Sequence, residues 1–441
     1  MKKDFVSPAF PATGSAAAPL HRERWPTLAD RGLVISLMLF LFALPLAYIT
    51  AVREILLGSA AFFWLAAMVI RRRILIPRTP LDLPLLCLVA VSFISLIWAV
   101  NPAYSFKEIK GELLKGCLVF YLAAYSAGRP ERLPTTWLIL VCGNLLLVVY
   151  ALWDFWQAGG NLAGYYIRAG SLHAGYGEFG TYLIIVFPFL LILILERQFL
   201  SKKNRGGLLA LLALNLLAIY ITFGRAMWIA AAAEFFLIGW IGNRKKILLG
   251  ATAGLLLFMV FIPKTVCLHG ERLSVSAPGT NTAIGGTAGD LLEIWKLAFL
   301  HIQERPFQGI GFGRSSFSDA FPEFRAQHQP LLWHAHNTLL DFTFQTGIQG
   351  LLALLWVMGV ALFHCFRRGG PGIDPWVRNF SLATGVMVIG FLIRNFFDDI
   401  FVDDNALMFW FLIGTALGSS KIKSGKPIRR DPAARSGPIS D

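Results

Sequence analysis

Residues 333–350 read WHAHNTLLDFTFQTGIQG and place His334, His336 and Asn337 directly ahead of an apolar run that continues to Phe363. Histidine titrates near neutral pH and can take a proton from an attacking group. His336 therefore reads as a general base or substrate orienter, the competing reading being a capping or interfacial histidine. His334 reads as a satisfied surface residue. Asn337 can orient the imidazole or an incoming group, or cap the helix that starts there. Arg225, in GRAMW between two apolar runs, carries a planar fork of donors that matches phosphate oxygens; the alternative is an arginine snorkelling toward lipid headgroups. Lys107 and Lys110 of SFKEIKGE can add to the same positive pocket. Carboxylates gather in RNFFDDIFVDDN, with Arg394, Asp398, Asp399, Asp403 and Asp404. They can hold a divalent cation, fix His336 in its reactive tautomer, or pair with Arg394 and the bases of the loop. The last two readings are favoured, with Asp399 expected beside His336.

These residues cooperate only if the rest of the chain brings them to one place. Of 441 residues, 56% are hydrophobic and 15% charged, too oily for a soluble domain, where about a quarter of residues are charged. The apolar residues fall in runs of about 16–25, the length that crosses roughly 30 Å of hydrocarbon as a helix. Twelve spans are expected, at about 33–51, 55–70, 82–100, 111–127, 135–156, 181–196, 207–223, 227–242, 247–262, 338–364, 380–396 and 406–418. A formal net charge of +14 could suggest nucleic acid, but the bases form short clusters between apolar runs, which is a topology signal. Most of the 40 Lys and Arg fall on the side of the N-terminus, so both ends are expected inside. The expected organisation is a tail at 1–31, spans one to nine over 32–262, an outer excursion at 263–337, spans ten to twelve over 338–418, and a basic tail at 419–441. Five scattered cysteines make no disulfide framework, and the Pro/Ala/Ser-rich start is not expected to be a cleaved signal peptide.

This topology places SFKEIKGE, GRAMW, the excursion and the acidic segment on the outer side. Within the excursion, AGDLLEIWKLAFLHIQERP predicts an amphipathic helix with Leu292, Trp295, Phe299 and Ile302 on one stripe and Pro306 as its stop. A glycine-rich turn, GIGFG, follows. His336 and Asn337 then lie at the outer mouth of the tenth span. On a helix through 336–350, turning about 100° per residue, His336 shares a face with Thr343, Gly347 and Gly350, a small-residue groove for a close helix contact or a lipid chain. Span interiors are nearly free of charge and the two halves are dissimilar. That favours chemistry at the outer surface over a transporter or flippase with a midplane site.

HNTLLDFTFQTGIQG fits H-[NSQ]-x9-G-x2-[GTY], and in this the chain resembles the bacterial O-antigen ligases, with His336 and Asn337 in the first two places and Gly347 and Gly350 in the last two. The twelve-span layout, the long outer loop, PFQGIGFG within it and GRAMWI extend the resemblance over roughly residues 80–410, although Ile229 stands where leucine is usual. The resemblance implies an all-α polytopic membrane protein of GT-C-like architecture, N-in and C-in, with a long helical periplasmic loop before the tenth helix. It implies a cofactor-free, metal-independent glycosyltransferase of the bacterial inner membrane, expected as a monomer, with its active site facing the periplasm. The donor would be a glycan on undecaprenyl diphosphate and the acceptor a sugar hydroxyl of lipid A-core, with no nucleic acid involved. O-antigen polymerases and protein O-oligosaccharyltransferases are the alternatives. The latter commonly add a domain beyond the last helix, where only about twenty polar residues follow here.

For such a donor the diphosphate is already a good leaving group. The protein has to neutralise the departing phosphates and accept the proton of the attacking hydroxyl. Arg225, Lys107 and Lys110 are expected at the diphosphate and His336 at the hydroxyl. The family tends to place a further arginine four residues before the loop tryptophan, where this chain has Leu291. Arg272, Arg305 or Arg314 can substitute, and Arg314, directly after GIGFG, is best placed. Two aspartates flanking one residue, the signature of metal-dependent glycosyltransferases, do not occur, so no metal is expected.

Overall fold

A computed structural model describes residues 20–162, 167–172, 175–243, 250, 287–324, 334–369, 372–399 and 401–419, and among these residues the chain is all-helical. The helices are α1 (Leu20–Ala43), α2 (Thr50–Arg71), α3 (Asp82–Ile94), α4 (Pro102–Glu108), α5 (Lys115–Ser126), α6 (Leu133–Gln157), α7 (Tyr176–Leu195), α8 (Lys202–Ile221) and α9 (Arg225–Ile241). After them come α10 (Thr287–Glu304), α11 (Ser315–Ala320), α12 (Thr338–Thr346), α13 (Ile348–Phe366), α14 (Pro375–Asn395) and α15 (Asp403–Gly418). Every expected span except the ninth overlaps one of these helices. The ninth lies outside the described residues apart from residue 250, and Arg272 lies outside them too.

Among the described residues, six helical stretches are long and apolar enough to cross a membrane: Thr50–Arg71, Pro130–Gln157, Tyr176–Leu195, Lys202–Ile221, Ile348–Phe366 and Pro375–Asn395. Their burial separates inner from outer positions in the bundle. α7 is apolar on all sides and buried along nearly its whole length, as a helix without a polar face must be, whereas α2 leaves most of its apolar surface open. Around α7, Trp137 of α6 meets Phe189 and Phe380 edge-on at 5.9 and 5.5 Å. α15 lies against α5 because Gly414 and Gly418 bring no side chain to the contact. A Cβ at those positions would stand 2.3 Å from the Phe120 carbonyl and 2.1 Å from the Ala124 carbonyl.

Polar contacts sort the helix ends into two groups. At one end Arg71, closing α2, bonds Asp30 at 2.6 Å and the Tyr125 hydroxyl at 2.7 Å. At the other, the Asn405 side chain donates to the Glu178 carbonyl at 3.1 Å, the Asp403 amide donates to Glu112 at 2.8 Å, and Arg53 pairs with Asp404. Gly180 of α7 packs so closely on Met227 of α9 that a Cβ would strike its side chain. The starts of α7, α9 and α15 and the π-helical turn Ile109–Leu114 between α4 and α5 therefore share this second end.

The expected continuous span at 338–364 is in fact two helices. Gly347, at φ +79°, separates α12 from α13. A glycine inside an apolar run passes as helical from sequence, because the groups that take up the broken backbone bonds come from far away. The Ile310 and Gly311 amides donate to the carbonyls of Phe344 and Gln345 at 3.1 Å each, and the Ile348 amide donates to the Pro306 carbonyl at 2.9 Å. His336 consequently does not share one helix face with Thr343, Gly347 and Gly350. Gly350 serves packing instead, since a Cβ there would collide with Thr346.

Candidate active site at one end of the bundle

PFQGIGFG forms the scaffold of the site. It threads between the end of α12 and the segment before α4, with the Val100 amide donating to the Ile310 carbonyl at 2.9 Å. A Cβ at Gly309 would stand 2.0 Å from the Gln345 carbonyl, and Gly311 and Gly313 adopt φ +106° and +115° against Ser105, Tyr104 and Glu108. Only glycines let three backbones come this close. The loop delivers Arg314, whose Nη1 donates to the Asp399 carbonyl at 3.0 Å and whose Nη2 lies 4.0 Å from Asp403.

His336 precedes α12 in a left-handed conformation, φ +48°. Its Nδ1 is 3.3 Å from Asp398 Oδ1, and Asp398 Oδ2 accepts from Arg394 Nη2 at 2.8 Å. Burial alone would push the Asp398 carboxyl up, but the His336 hydrogen bond and the Arg394 charge outweigh it and hold the group well below the usual carboxylate range. An ionised Asp398 only accepts, so Nδ1 of a neutral His336 carries the hydrogen and Nε2 the lone pair. The partner is thus Asp398 and not the expected Asp399. Asp399 faces the interior and accepts from the Thr338 hydroxyl at 2.7 Å. Burial, with the Asp341 carboxyl nearby, pushes it up to about 6.

His334 is not a surface residue: it is 2% exposed. Burial, with the His336 ring beside it, pulls its imidazole down to about 3, so it stays neutral at physiological pH. Asn337 caps α12, its Oδ1 accepting from the Leu340 amide at 3.1 Å. It also lines an open apolar cavity of about 640 Å³. The stripe Leu292, Trp295, Phe299 and Ile302 of α10 forms one wall of that cavity, and Leu340, Thr343 and Leu351 stand opposite. α10 is anchored by its neighbouring face, where Ile294 and Ala298 pack with Ile310, Phe317 and Phe344. Of the expected groove residues only Thr343 lines this space.

Arg225 opens α9 after Phe223, at φ +50°, and Gly224, and it is exposed. Lys107 is exposed on the last turn of α4. Lys110 opens on a different groove, of about 400 Å³, with Glu54, Leu57 and Lys115. Among the described residues neither lysine is bonded to the histidine cluster. Among the described residues two triads, His334 with His336 and Asp398, and His334 with Asp341 and Asp399, could bring three metal-ligand atoms within 4.8 Å of one another. Asp398 is already engaged by Arg394 and Asp399 by Thr338.

Sequence reasoning missed Asp341, 0% exposed on α12, and the Arg53–Asp404 pair. Asp341 had a signal, as an acid inside an apolar run calls for a local partner.

A sequence profile described as O-antigen ligase matches residues 208–355, which include Arg225 and the whole histidine motif. Over 424 residues, 89% of this chain and 97% of the relative, the sequence is 23% identical to the O-antigen ligase of Salmonella typhimurium.

Proposed function

We propose that this member of the O-antigen ligase family is itself a ligase in lipopolysaccharide assembly, moving a glycan from undecaprenyl diphosphate to a sugar hydroxyl of lipid A-core. In this reading the chain crosses the inner membrane twelve times with both ends cytoplasmic, on a GT-C-like scaffold. The excursion at 263–337 and the His336 cluster then face the periplasm. The observation that carries the proposal is the His336–Asp398–Arg394 chain beside an apolar cavity at the end of the bundle where Arg225 also stands.

The acceptor hydroxyl gives its proton to His336 Nε2 as its oxygen bonds the anomeric carbon of the donor glycan. The bond from that carbon to the phosphate oxygen breaks, and undecaprenyl diphosphate leaves with the electron pair. Asp398 stabilises the imidazolium that forms, and Arg394 keeps Asp398 ionised. Arg225, with Lys107 and Arg314, offsets the charge of the leaving diphosphate; Arg272 remains a candidate for the same role, and Lys110 is set apart by its separate groove. The cavity between α10 and α12 suits the apolar prenyl chain, whose headgroup then reaches Asn337 and His336.

Deleting the gene and separating envelope glycans tests the proposal. A ligase predicts unsubstituted lipid A-core with accumulated lipid-linked polymer. Single repeat units on core would mark a polymerase, and unchanged lipopolysaccharide would remove the reading altogether.

A further inference from the structure

The backbone around His336 is held in a way that proton acceptance alone does not require. At φ +48° the residue occupies a region that side-chain-bearing residues rarely enter, at a cost of roughly 1–2 kcal/mol, so surrounding groups have to fix it. They are side chains. The His336 amide donates to His334 Nδ1 at 3.1 Å, the Ala335 amide to Asp341 Oδ1 at 3.1 Å, and Trp295 Nε1 donates to the Ala335 carbonyl at 2.8 Å. Asp341 Oδ2 lies 3.4 Å from the same His334 Nδ1. The two imidazole rings stack with centroids 3.9 Å apart and planes tilted by 33°. His334 and Asp341 are both buried, so water does not compete for these bonds, and a lost acceptor would leave a buried amide without its partner.

We propose that His334 and Asp341 are positioning residues, which together hold residues 335–336 in the conformation that sets the His336 imidazole against Asp398. His334 acts through its Nδ1 acceptor and through its ring, a floor beneath the His336 ring. Since Nδ1 accepts an amide hydrogen, the hydrogen of His334 sits on Nε2. Asp341, on the first turn of α12, ties that conformation to the helix. Neither residue takes the substrate proton. The proposal rests on His336 being the base, but its conformational content can be read without a transfer assay.

The test compares His334→Asn with His334→Leu in the full-length protein reconstituted in lipid nanodiscs. The Asn Oδ1 falls close to the place of Nδ1 and can accept the same amide hydrogen, whereas leucine matches the bulk without an acceptor. Two readouts are taken: the rate at which diethyl pyrocarbonate modifies His336, resolved by mass spectrometry, and kcat and KM for transfer from a lipid-linked glycan to lipid A-core. His334→Leu is expected to speed modification of His336 several-fold and to lower kcat about 10- to 100-fold, the effect of a base displaced by about 1 Å, with KM little changed. His334→Asn returns both toward wild type. Wild-type reactivity and kcat in His334→Leu, or equal impairment in both variants, overturns the proposal. If His334→Leu does not insert, Asp341→Asn, which keeps the acceptor, against Asp341→Leu makes the same comparison. If His336→Ala transfers normally, the base reading fails, and the modification rates still decide whether His334 and Asp341 position residue 336.

Discussion

His336 and Arg225 stand at the same end of the bundle and are built in opposite ways. Around His336 side chains hold the flanking backbone, and Asp398, itself bonded to buried Arg394, holds the ring. Arg225 is exposed on the first turn of α9, and among the described residues its guanidinium makes no hydrogen bond or ion pair. The difference fits the roles proposed for the two residues. A base works over a fraction of an ångström and gains from being fixed before the substrate arrives, whereas a cation that meets a diphosphate gains from donors not yet committed to a protein carboxylate. A paired arginine would first have to give up its partner.

The sharpest way to break this contrast is to remove each residue in turn. His336→Ala is expected to lower transfer by about 10²–10⁴-fold, the span of general-base catalysis. Arg225→Ala is expected to cost about 10²–10³-fold through lost charge stabilisation. Both proteins should insert normally, and a vesicle assay with lipid-linked glycan measures the loss. Asp398→Asn comes next, with kcat down about 10²-fold and stability lowered by about 1–3 kcal/mol because Arg394 loses its charged acceptor; thermal unfolding followed beside activity checks both. Gly309→Ala breaks the scaffold without touching either residue. Its Cβ would meet the Gln345 carbonyl, so a destabilisation of about 1–3 kcal/mol is expected, read as a lower melting temperature.

Smaller effects sharpen the picture. Asp399 sits above the ordinary carboxylate range, at about 6. Its contribution to stability is therefore fully present below the unfolded-state pKa and is lost as pH rises through about 6. Asp399→Asn should flatten that part of the melting-temperature profile, and an unchanged slope would show that another group produces it. Excess chelator is expected to leave transfer unaltered; activity lost to chelator and restored only by a divalent ion would turn the His334, Asp341 and Asp399 cluster into a metal site.

How much of this was legible beforehand depends on how local each cause is. The helices follow from apolar runs between clusters of bases, and α10 with its stop before Pro306 follows from a three-four spacing and a proline. Arg225 declares itself as a charge between two apolar runs. The break at Gly347 does not, since its stabilising bonds come from residues about forty positions earlier. The choice between Asp398 and Asp399 depends on which of two adjacent identical side chains a turn after α14 points toward His336, and composition carries no trace of that. The burial of His334 likewise depends on contacts that only the assembled structure makes, among them Trp295 of α10 holding the Ala335 carbonyl.

Binding of the lipid-linked donor, measured separately from its consumption, tests the central claim most directly. With glycan-bearing undecaprenyl diphosphate titrated into nanodiscs, His336→Ala should bind as tightly as wild type and turn over about 10²–10⁴-fold more slowly, while Arg225→Ala should bind measurably more weakly. Equal loss of binding in both variants, or full turnover by His336→Ala, would contradict the division of labour between a fixed base and an uncommitted cation.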